Sequence, residues 1–536
     1  MVSQVKDTPL FDTMFQWLKN DFRGMLTGSN TLTTPVAGLY TYPVEFHNGG
    51  KMRIHLRVEP NGGGVLFVDV TEAVHLNPTA VMIAKMALDN VPLARAKATL
   101  LSQYWVVDRQ AMLAELNTLY ALIDQLRNYE EGCITCNFGD KFELVPLFGV
   151  EVNAPYKVDV ALTYGCNDEC PHCYNEVNRF GMPSLKLEDW HRVFDRIAEI
   201  GVPHVILTGG EATLHPDLPE IIHYADQLGM IVGMNTNGRH LAHKPYMQEL
   251  ADAGLNHVQI TLGSQFPEIH NAMMGSKSFD QRVRGIQNAV ESRVHTITNT
   301  TLMRRTSERV EEFIDFLYDL GIRTFAMNGM IYSGGGFQNP NAIPEKELQP
   351  LLVRVRDHAK AKDMRFLWYT VTEYCRLSPV ELDIGVKRCN AGEYSLCIEP
   401  NGDVLPCQSY YVSAGNILND PWERIWQGDL FRSFREREET PQLSGLEEKC
   451  WECPDLPLCG GGCRIEREAR EGNRVANAGS GCFGCGSGLG RVDEVDVVYA
   501  PTGGFVPGAS VTNSSVRASG NMPLISLDDI AVNDSL

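Results

Sequence analysis

Three cysteines stand at C-x3-C-x2-C spacing in Tyr164-Gly165-Cys166-Asn167-Asp168-Glu169-Cys170-Pro171-His172-Cys173-Tyr174. The stretch directly follows an apolar run, Val158 to Leu162, that reads as a buried strand. Three thiolates on one short loop can hold three corners of a cubic iron–sulfur cluster and leave the fourth iron open to a small molecule. A three-thiolate zinc site is the alternative, although zinc knuckles usually show two C-x2-C pairs. A second constellation lies towards the C-terminus. Cys389 and Cys407 bracket Gly402, then Cys450-x2-Cys453-x5-Cys459-x3-Cys463 follows, and Cys482 closes the series. Spacing alone leaves zinc open here too, since C-x2-C pairs also build ribbons. Cys485 could substitute for Cys482, and Cys133 and Cys136 show no partner and stay unassigned.

Loops after strands are where α/β folds place their chemistry, so the elements around the first cysteine loop decide what it can do. Strand patterns recur at Val158–Thr163, His204–Thr208, Ile231–Asn235, His257–Leu262, His295–Leu302 and Thr324–Asn328. Helical patterns at Leu187–Ile200, Leu218–Leu228, Met247–Ala253, Phe279–Val290 and Ser307–Leu320 alternate with them. Repeated βα units imply a parallel sheet with right-handed crossovers. The second strand ends in Gly209-Gly210-Glu211, where glycines admit close backbone approach to a ligand and a carboxylate can accept from an ammonium. The third ends at Thr236-Asn237-Gly238 and the fourth at Thr261-Leu262-Gly263-Ser264.

The first cysteine loop resembles the signature of the radical S-adenosylmethionine (SAM) enzymes, and the order of motifs behind it is similar to that family. The resemblance implies a partial (β/α)6 barrel over residues 156–345. It implies that Cys166, Cys170 and Cys173 hold a 4Fe-4S cluster whose open iron chelates SAM, giving a 5′-deoxyadenosyl radical on reduction. Gly209, Gly210 and Glu211 would then seat SAM, with Asn237 and Thr261 beside it. Ala212 departs from the usual proline, and the acid that commonly follows the fourth strand in relatives is missing at Gly263. The later cysteines resemble the SPASM domain over residues 386–485, which binds two auxiliary 4Fe-4S clusters. By position, Cys450, Cys453, Cys459 and Cys482 would hold one cluster, and Cys389, Cys407 and Cys463 the other. Its fourth ligand would be Cys375, Cys397 or substrate, and Cys397 can equally be a core thiol.

The rest of the 536 residues is organised around this core. That length suggests about three or four domains. Residues 1–40 form an extension with a helical pattern from Pro9 to Phe22, 131–155 a linker, 346–385 a bridging region, and 486–536 a Gly/Ser-rich tail. Between residues 41 and 130, two strand patterns, Met52–Val58 and Val65–Val70, flank a turn at Pro60 to Gly64. Three helical patterns follow, Asn77–Leu88, Leu93–Tyr104 and Asp108–Arg127. This winged-helix-like arrangement resembles the leader-recognition domain of ribosomal-peptide maturases, where an exposed strand edge accepts the leader. A packing domain or a DNA-binding winged helix are the alternatives. Eight Lys/Arg against nine Asp/Glu in this region, and a net charge of −20 overall, oppose nucleic acid as a partner. No apolar run approaches the roughly 18 residues of a membrane helix. Met1 to Gly24 lacks a signal-peptide core, and fifteen cysteines without one imply metal ligation in the cytoplasm.

The combined reading is a radical SAM oxidoreductase that modifies a peptide, for example by a thioether or carbon–carbon cross-link, fed by flavodoxin or ferredoxin. The alternatives are a formylglycine-type sulfatase maturase, a small-molecule cofactor maturase, and a zinc-binding winged-helix regulator.

Overall fold

The computed structural model describes residues 35–45, 51–69, 72–103, 109–127 and 152–471. The helix expected from Pro9 to Phe22, Cys133, Cys136, Cys482, Cys485 and the tail lie outside the described residues. The chain forms two compact units that part near residue 142.

The N-terminal unit carries a four-stranded sheet in the order β1 (Gly38–Glu45), β2 (Lys51–Val58), β3 (Gly64–Val68), β4 (Glu72–Leu76). Antiparallel pairing sets Tyr40 opposite Leu56 on β1 and β2, and Leu56 opposite Leu66 on β2 and β3. The β2–β3 turn closes where expected, with Gly62 N–H donating to Glu59 O at 2.9 Å. Helix α1 (Pro78–Leu88) starts at a cap in which Asn77 Oδ1 accepts the Ala80 N–H at 2.8 Å. Helices α2 (Leu93–Gln103) and α3 (Arg109–Arg127) follow, and α3 buries Met112, Leu116, Leu119, Ile123 and Leu126 at helical spacing. The sequence patterns reveal only β2 and β3. Both prove to be interior strands, so neither offers the free edge expected of the hairpin, and among the described residues the outermost strands are β1 and β4. Glycine and mixed burial weaken the alternation along β1, which hid it.

The second unit is built on a nine-stranded sheet. Its central strands are β5 (Lys157–Thr163), β6 (His204–Gly209), β7 (Ile231–Thr236), β8 (His257–Thr261), β9 (His295–Thr301) and β10 (Thr324–Asn328). They lie parallel and in chain order, as the alternating pattern predicts. Helices α4 (Leu187–Ile200), α5 (Leu218–Gln227), α6 (Lys244–Ala253), α7 (Pro267–Met274), α8 (Phe279–Glu291), α9 (Arg304–Ser307) and α10 (Val310–Asp319) cover it. Trp190, Val193, Phe194 and Ile197 give α4 its buried stripe. After α11 (Glu345–Ala361), β11 (Arg365–Trp368) pairs parallel with β10. At the other end β12 (Ser395–Ile398) pairs parallel with β5, and β13 (Val404–Leu405) pairs antiparallel with β12. The bridging and cysteine-rich regions therefore extend the same sheet.

At the N-terminal end of these strands, His204 and His257 meet across β7 with their Nε2 atoms 2.8 Å apart. The intervening Gly233 makes room, because a Cβ there would lie 2.1 Å from the His257 ring. In such a contact one ring donates and the other accepts, so the accepting ring must be neutral. Burial first, then His295 and Lys157, push the His257 pKa down to about 3. A histidine lowered in this way contributes stability that is fully present above its unfolded pKa, about 6.5, and is lost as pH falls towards 3. The loss is at most about 4–5 kcal/mol at roughly 1.36 kcal/mol per pH unit, less where water reaches the ring. The urea midpoint should fall between pH 6.5 and 4, and His257→Gln should flatten that slope. An identical slope in the variant would remove His257 from the account.

Candidate active site

The three cysteines leave the C-terminal end of β5, and a tight turn, Cys173 N–H to Cys170 O at 3.1 Å, sets the last two. All three are free thiols. Burial pushes Cys166 up to about 12 and raises Cys170 and Cys173 as well. The Asp168 N–H, 3.4 Å from Cys166 Sγ, opposes that rise. The Asn175 backbone does the same for Cys173. Cys166 is exposed and Cys170 and Cys173 are half-buried, and thiols that accept backbone N–H groups are suited to thiolates bound to a positively charged inorganic centre, whose binding would release their protons. The donor set thus fits an iron–sulfur cluster.

What holds this loop was not legible in the sequence. Asp168 is buried, and its carboxylate accepts from Ser276 Oγ at 2.6 Å, from Arg239 Nη1 at 3.1 Å and from Arg282 Nη2. Arg282, fully buried on α8, also donates to Thr261 O at 3.1 Å. One arginine thereby ties the end of β8 to the cysteine loop. A further clamp comes from the glycine turn after β10. Gly335 N–H donates to Cys173 O at 2.7 Å, and Gly334 N–H to Glu176 Oε1 at 2.9 Å. Three successive glycines after a strand were the available signal for it.

Gly209, Gly210 and Glu211 lie directly against this loop. Gly209 has φ 134°, and a Cβ on it would stand 2.0 Å from Thr163 O. Gly210 N–H donates to Thr163 O at 2.7 Å, and Glu211 N–H to Gly165 O at 2.9 Å. Only glycine permits that approach. Glu211 is 1% exposed. Its Oε1 accepts from Thr213 N–H at 3.1 Å, Thr213 Oγ1 at 2.6 Å and Thr236 Oγ1 at 2.6 Å. Its Oε2 accepts from Asn237 N–H at 2.6 Å. The carboxylate expected to receive an ammonium is first a brace between the ends of β6 and β7, with one acceptor direction left on Oε2. Asn237 completes the ring by donating from Nδ2 to Asn167 Oδ1 at 2.5 Å. The residues singled out at three strand ends therefore converge on the cysteine loop.

The later cysteines fall into two groups. Cys389, Cys407 and Cys463 line one cavity with Asn328, Tyr332 and Thr370 from the ends of β10 and β11. Burial pushes Cys463 up to about 12, and backbone N–H groups of Ile465 and Glu466 oppose it. Cys450 and Cys453 share a turn, Cys453 N–H to Cys450 O at 3.2 Å, and Cys459 stands a few residues on. Cys397 belongs to neither group. It is 1% exposed and packs with Ala161, Tyr164, Leu405 and Tyr411, which makes it a core thiol. Direct contacts join this region to the first loop: Tyr174 donates to Oε1 of Gln408 in the cavity wall at 2.7 Å, and Tyr411, three residues on, donates to Asn175 Oδ1 at 3.1 Å.

Residues 160–317 match the model of the Radical SAM superfamily, and 389–454 match that of the SPASM iron–sulfur cluster-binding domain. The chain is 27% identical to the PqqA peptide cyclase of Streptomyces rochei over 66% of its own length and 97% of that protein's. It is 26% identical to the AdoMet-dependent heme synthase of Methanosarcina barkeri, over 60% of this chain and 94% of that protein. In fold it is similar to Streptococcus suis SuiB bound to precursor peptide SuiA, with TM-score 0.56, 18% identity, and 77% and 94% of the two chains covered.

The Asp168–Arg282 pair makes the site's mechanical prediction. Asp168→Asn leaves a buried guanidinium short of charge and should cost about 3–5 kcal/mol. Asp168→Asn combined with Arg282→Met removes both charges and should recover most of that loss. Denaturant unfolding of the wild type, Asp168→Asn, Arg282→Met and the double variant measures the coupling, and additive losses would show that the pair does not act as a unit.

Proposed function

We propose that this chain, a radical SAM enzyme with a C-terminal SPASM domain, oxidatively modifies a ribosomally made peptide in the cytoplasm. Three 4Fe-4S clusters and SAM are its cofactors, and with an electron from a donor such as flavodoxin or ferredoxin they supply a 5′-deoxyadenosyl radical able to abstract substrate hydrogen. Cys166, Cys170 and Cys173 would hold the SAM-binding cluster. Gly209 and Gly210 let the end of β6 pack directly against the cysteine loop, and Glu211 and Asn237 fix the strand ends beside which SAM would sit. The observation that carries the reading is the cavity at the barrel mouth. Its wall combines residues from the ends of β10 and β11 with Cys389, Cys407 and Cys463, so a substrate there would touch an auxiliary site, and Gln408 of the same wall accepts from Tyr174 beside Cys173. A wide range of bond-forming oxidations needs a place for the second electron, and such a wall supplies it. Among the described residues no helix is long and apolar enough to cross a membrane.

Relatives named for acting on a peptide favour peptide maturation, as does an N-terminal sheet whose outermost strands among the described residues are β1 and β4. The similarity to a heme synthase favours the second reading, a small-molecule cofactor maturase. Leader recognition separates them. A leader would add as a strand along β1 or β4, since β2 and β3 are paired on both sides.

Two measurements test this. About twelve irons per chain are expected after anaerobic reconstitution, four per cubane, and replacing Cys166, Cys170 and Cys173 with alanine should remove about a third and abolish 5′-deoxyadenosine formation. Zinc without labile sulfide would refute the cluster assignment. Proline placed along Tyr40–Val44 or Ala73–His75 should weaken binding of a precursor leader by roughly five- to tenfold per lost hydrogen bond at one of the two edges. Turnover of full-length precursor that is indifferent to both edges would favour the small-molecule reading.

A further inference from the structure

The cavity proposed as the substrate site offers hydrogen-bond acceptors at two points of its wall, and no lysine, arginine or histidine among the described residues lines it. One acceptor is Asn328 at the end of β10, 1% exposed. Its Nδ2 donates to Gly329 O at 2.7 Å and to Thr301 Oγ1 at 3.3 Å. A carbonyl can only accept, so the amide nitrogen is held on that side and Oδ1 on the other. Oδ1 has no hydrogen-bond partner among the described residues. A buried acceptor without a donor is a standing cost that an N–H group of a ligand would remove.

The other is Glu466, on the helix Arg464–Arg470. Its Oε1 lies 3.8 Å from Arg470 Nη1, beyond hydrogen-bond reach. Glu373 takes the close contacts instead, from Arg376 Nε at 2.8 Å and from Arg470 Nη2. Glu345 Oε2 is likewise 3.8 Å from Arg376 Nη1. Three carboxylates thus share two guanidiniums, and Glu466 is the one of the three that lines the cavity. The rest of the wall suits a long basic side chain. Ile331 and Val371 offer apolar surface to its stem, and the rings of Tyr332 and Tyr369 can attract its charge. An anion would face Glu466 with no cation to match it, and an apolar group would leave both acceptors unmet.

We infer that this cavity selects an ammonium or guanidinium on an aliphatic stem, the chemistry of a lysine or arginine side chain, with the Glu466 carboxylate as its charge partner and Asn328 Oδ1 accepting one of its N–H groups. The inference rests on the reading that the cavity is the substrate site, and adds to it the class of group received there.

Ligand-observed nuclear magnetic resonance on the reconstituted full chain tests this without reference to turnover. Pentylamine and propylguanidinium serve as lysine and arginine side-chain probes, with pentanol and pentanoate as neutral and anionic controls. At least one cation should bind wild type more tightly than pentanol, and pentanoate should bind most weakly; the tighter cation identifies the side chain. Glu466→Gln keeps the shape of the wall and removes the charge. It should weaken that cation about tenfold, the loss of one charge-assisted bond, and leave pentanol within about twofold. General attraction of cations to a chain of net charge −20 is common to both proteins and drops out of the comparison. Asn328→Leu cannot accept and should weaken the cation about threefold or more. If its unfolding midpoint departs from that of wild type, the Glu466→Gln comparison decides alone. Should Glu466→Gln lose pentanol as well, Glu466→Asp decides, since retained cation binding there supports the inference and lost binding overturns it. Cation affinity unchanged in Glu466→Gln overturns it, as does wild type that prefers neither cation or binds neither below about 10 mM. Wild type that forms 5′-deoxyadenosine yet shows no cation preference overturns this inference alone, whereas wild type lacking labile sulfide overturns the reading on which it stands.

Discussion

The buried charge of Asp168 is the constraint around which the active end of this protein is arranged. A carboxylate taken out of water must be matched by donors and opposite charge, or it neutralises. Arg282, Arg239 and Ser276 provide that match, and each comes from a different segment of the barrel. Because Asp168 sits between Cys166 and Cys170, the cost of leaving it unpaired becomes a restoring force on the cysteine loop itself. Arg282 carries the restraint further by donating to Thr261 O at the end of β8. The loop is thus fixed by electrostatics as well as by its own turns.

Glu211 plays the corresponding part on the other side. Its four accepted hydrogen bonds join β6 to β7 and leave little freedom for the backbone where Gly209 and Gly210 pass the loop. Such a closed polar network is stiff when every member is satisfied. Stiffness of this kind suits the cofactor-binding role proposed for this end of the barrel. The same economy of parts appears in Asn237, whose backbone serves Glu211 and whose side chain reaches Asn167.

Continuity of one sheet explains how the C-terminal cysteines come to face the barrel. β12 adds parallel to β5, the strand that launches the cysteine loop, with Cys397 beside Asp159. The segment beyond it then carries Cys407 and Gln408 back to Tyr174, one residue past Cys173. At the opposite edge β11 adds to β10 and delivers the turn that holds Cys375. Both extensions use backbone pairing, which is insensitive to side-chain identity and so leaves little mark in a single sequence.

The sequence by itself determined the alternating α/β core, the positions of all six central strands, and the glycine-rich end of β6. These are local or periodic features: apolar runs, helical spacing and ligand spacing are written within a few residues of one another. It did not determine which strands of the N-terminal sheet are edges, because β1 and β4 alternate weakly and pairing order is a long-range property. Nor did it reveal Arg282 as the partner of Asp168, or decide whether Cys397 is a ligand or a core thiol. Those outcomes depend on which residues distant in the chain share a buried volume, and only the tertiary structure decides that.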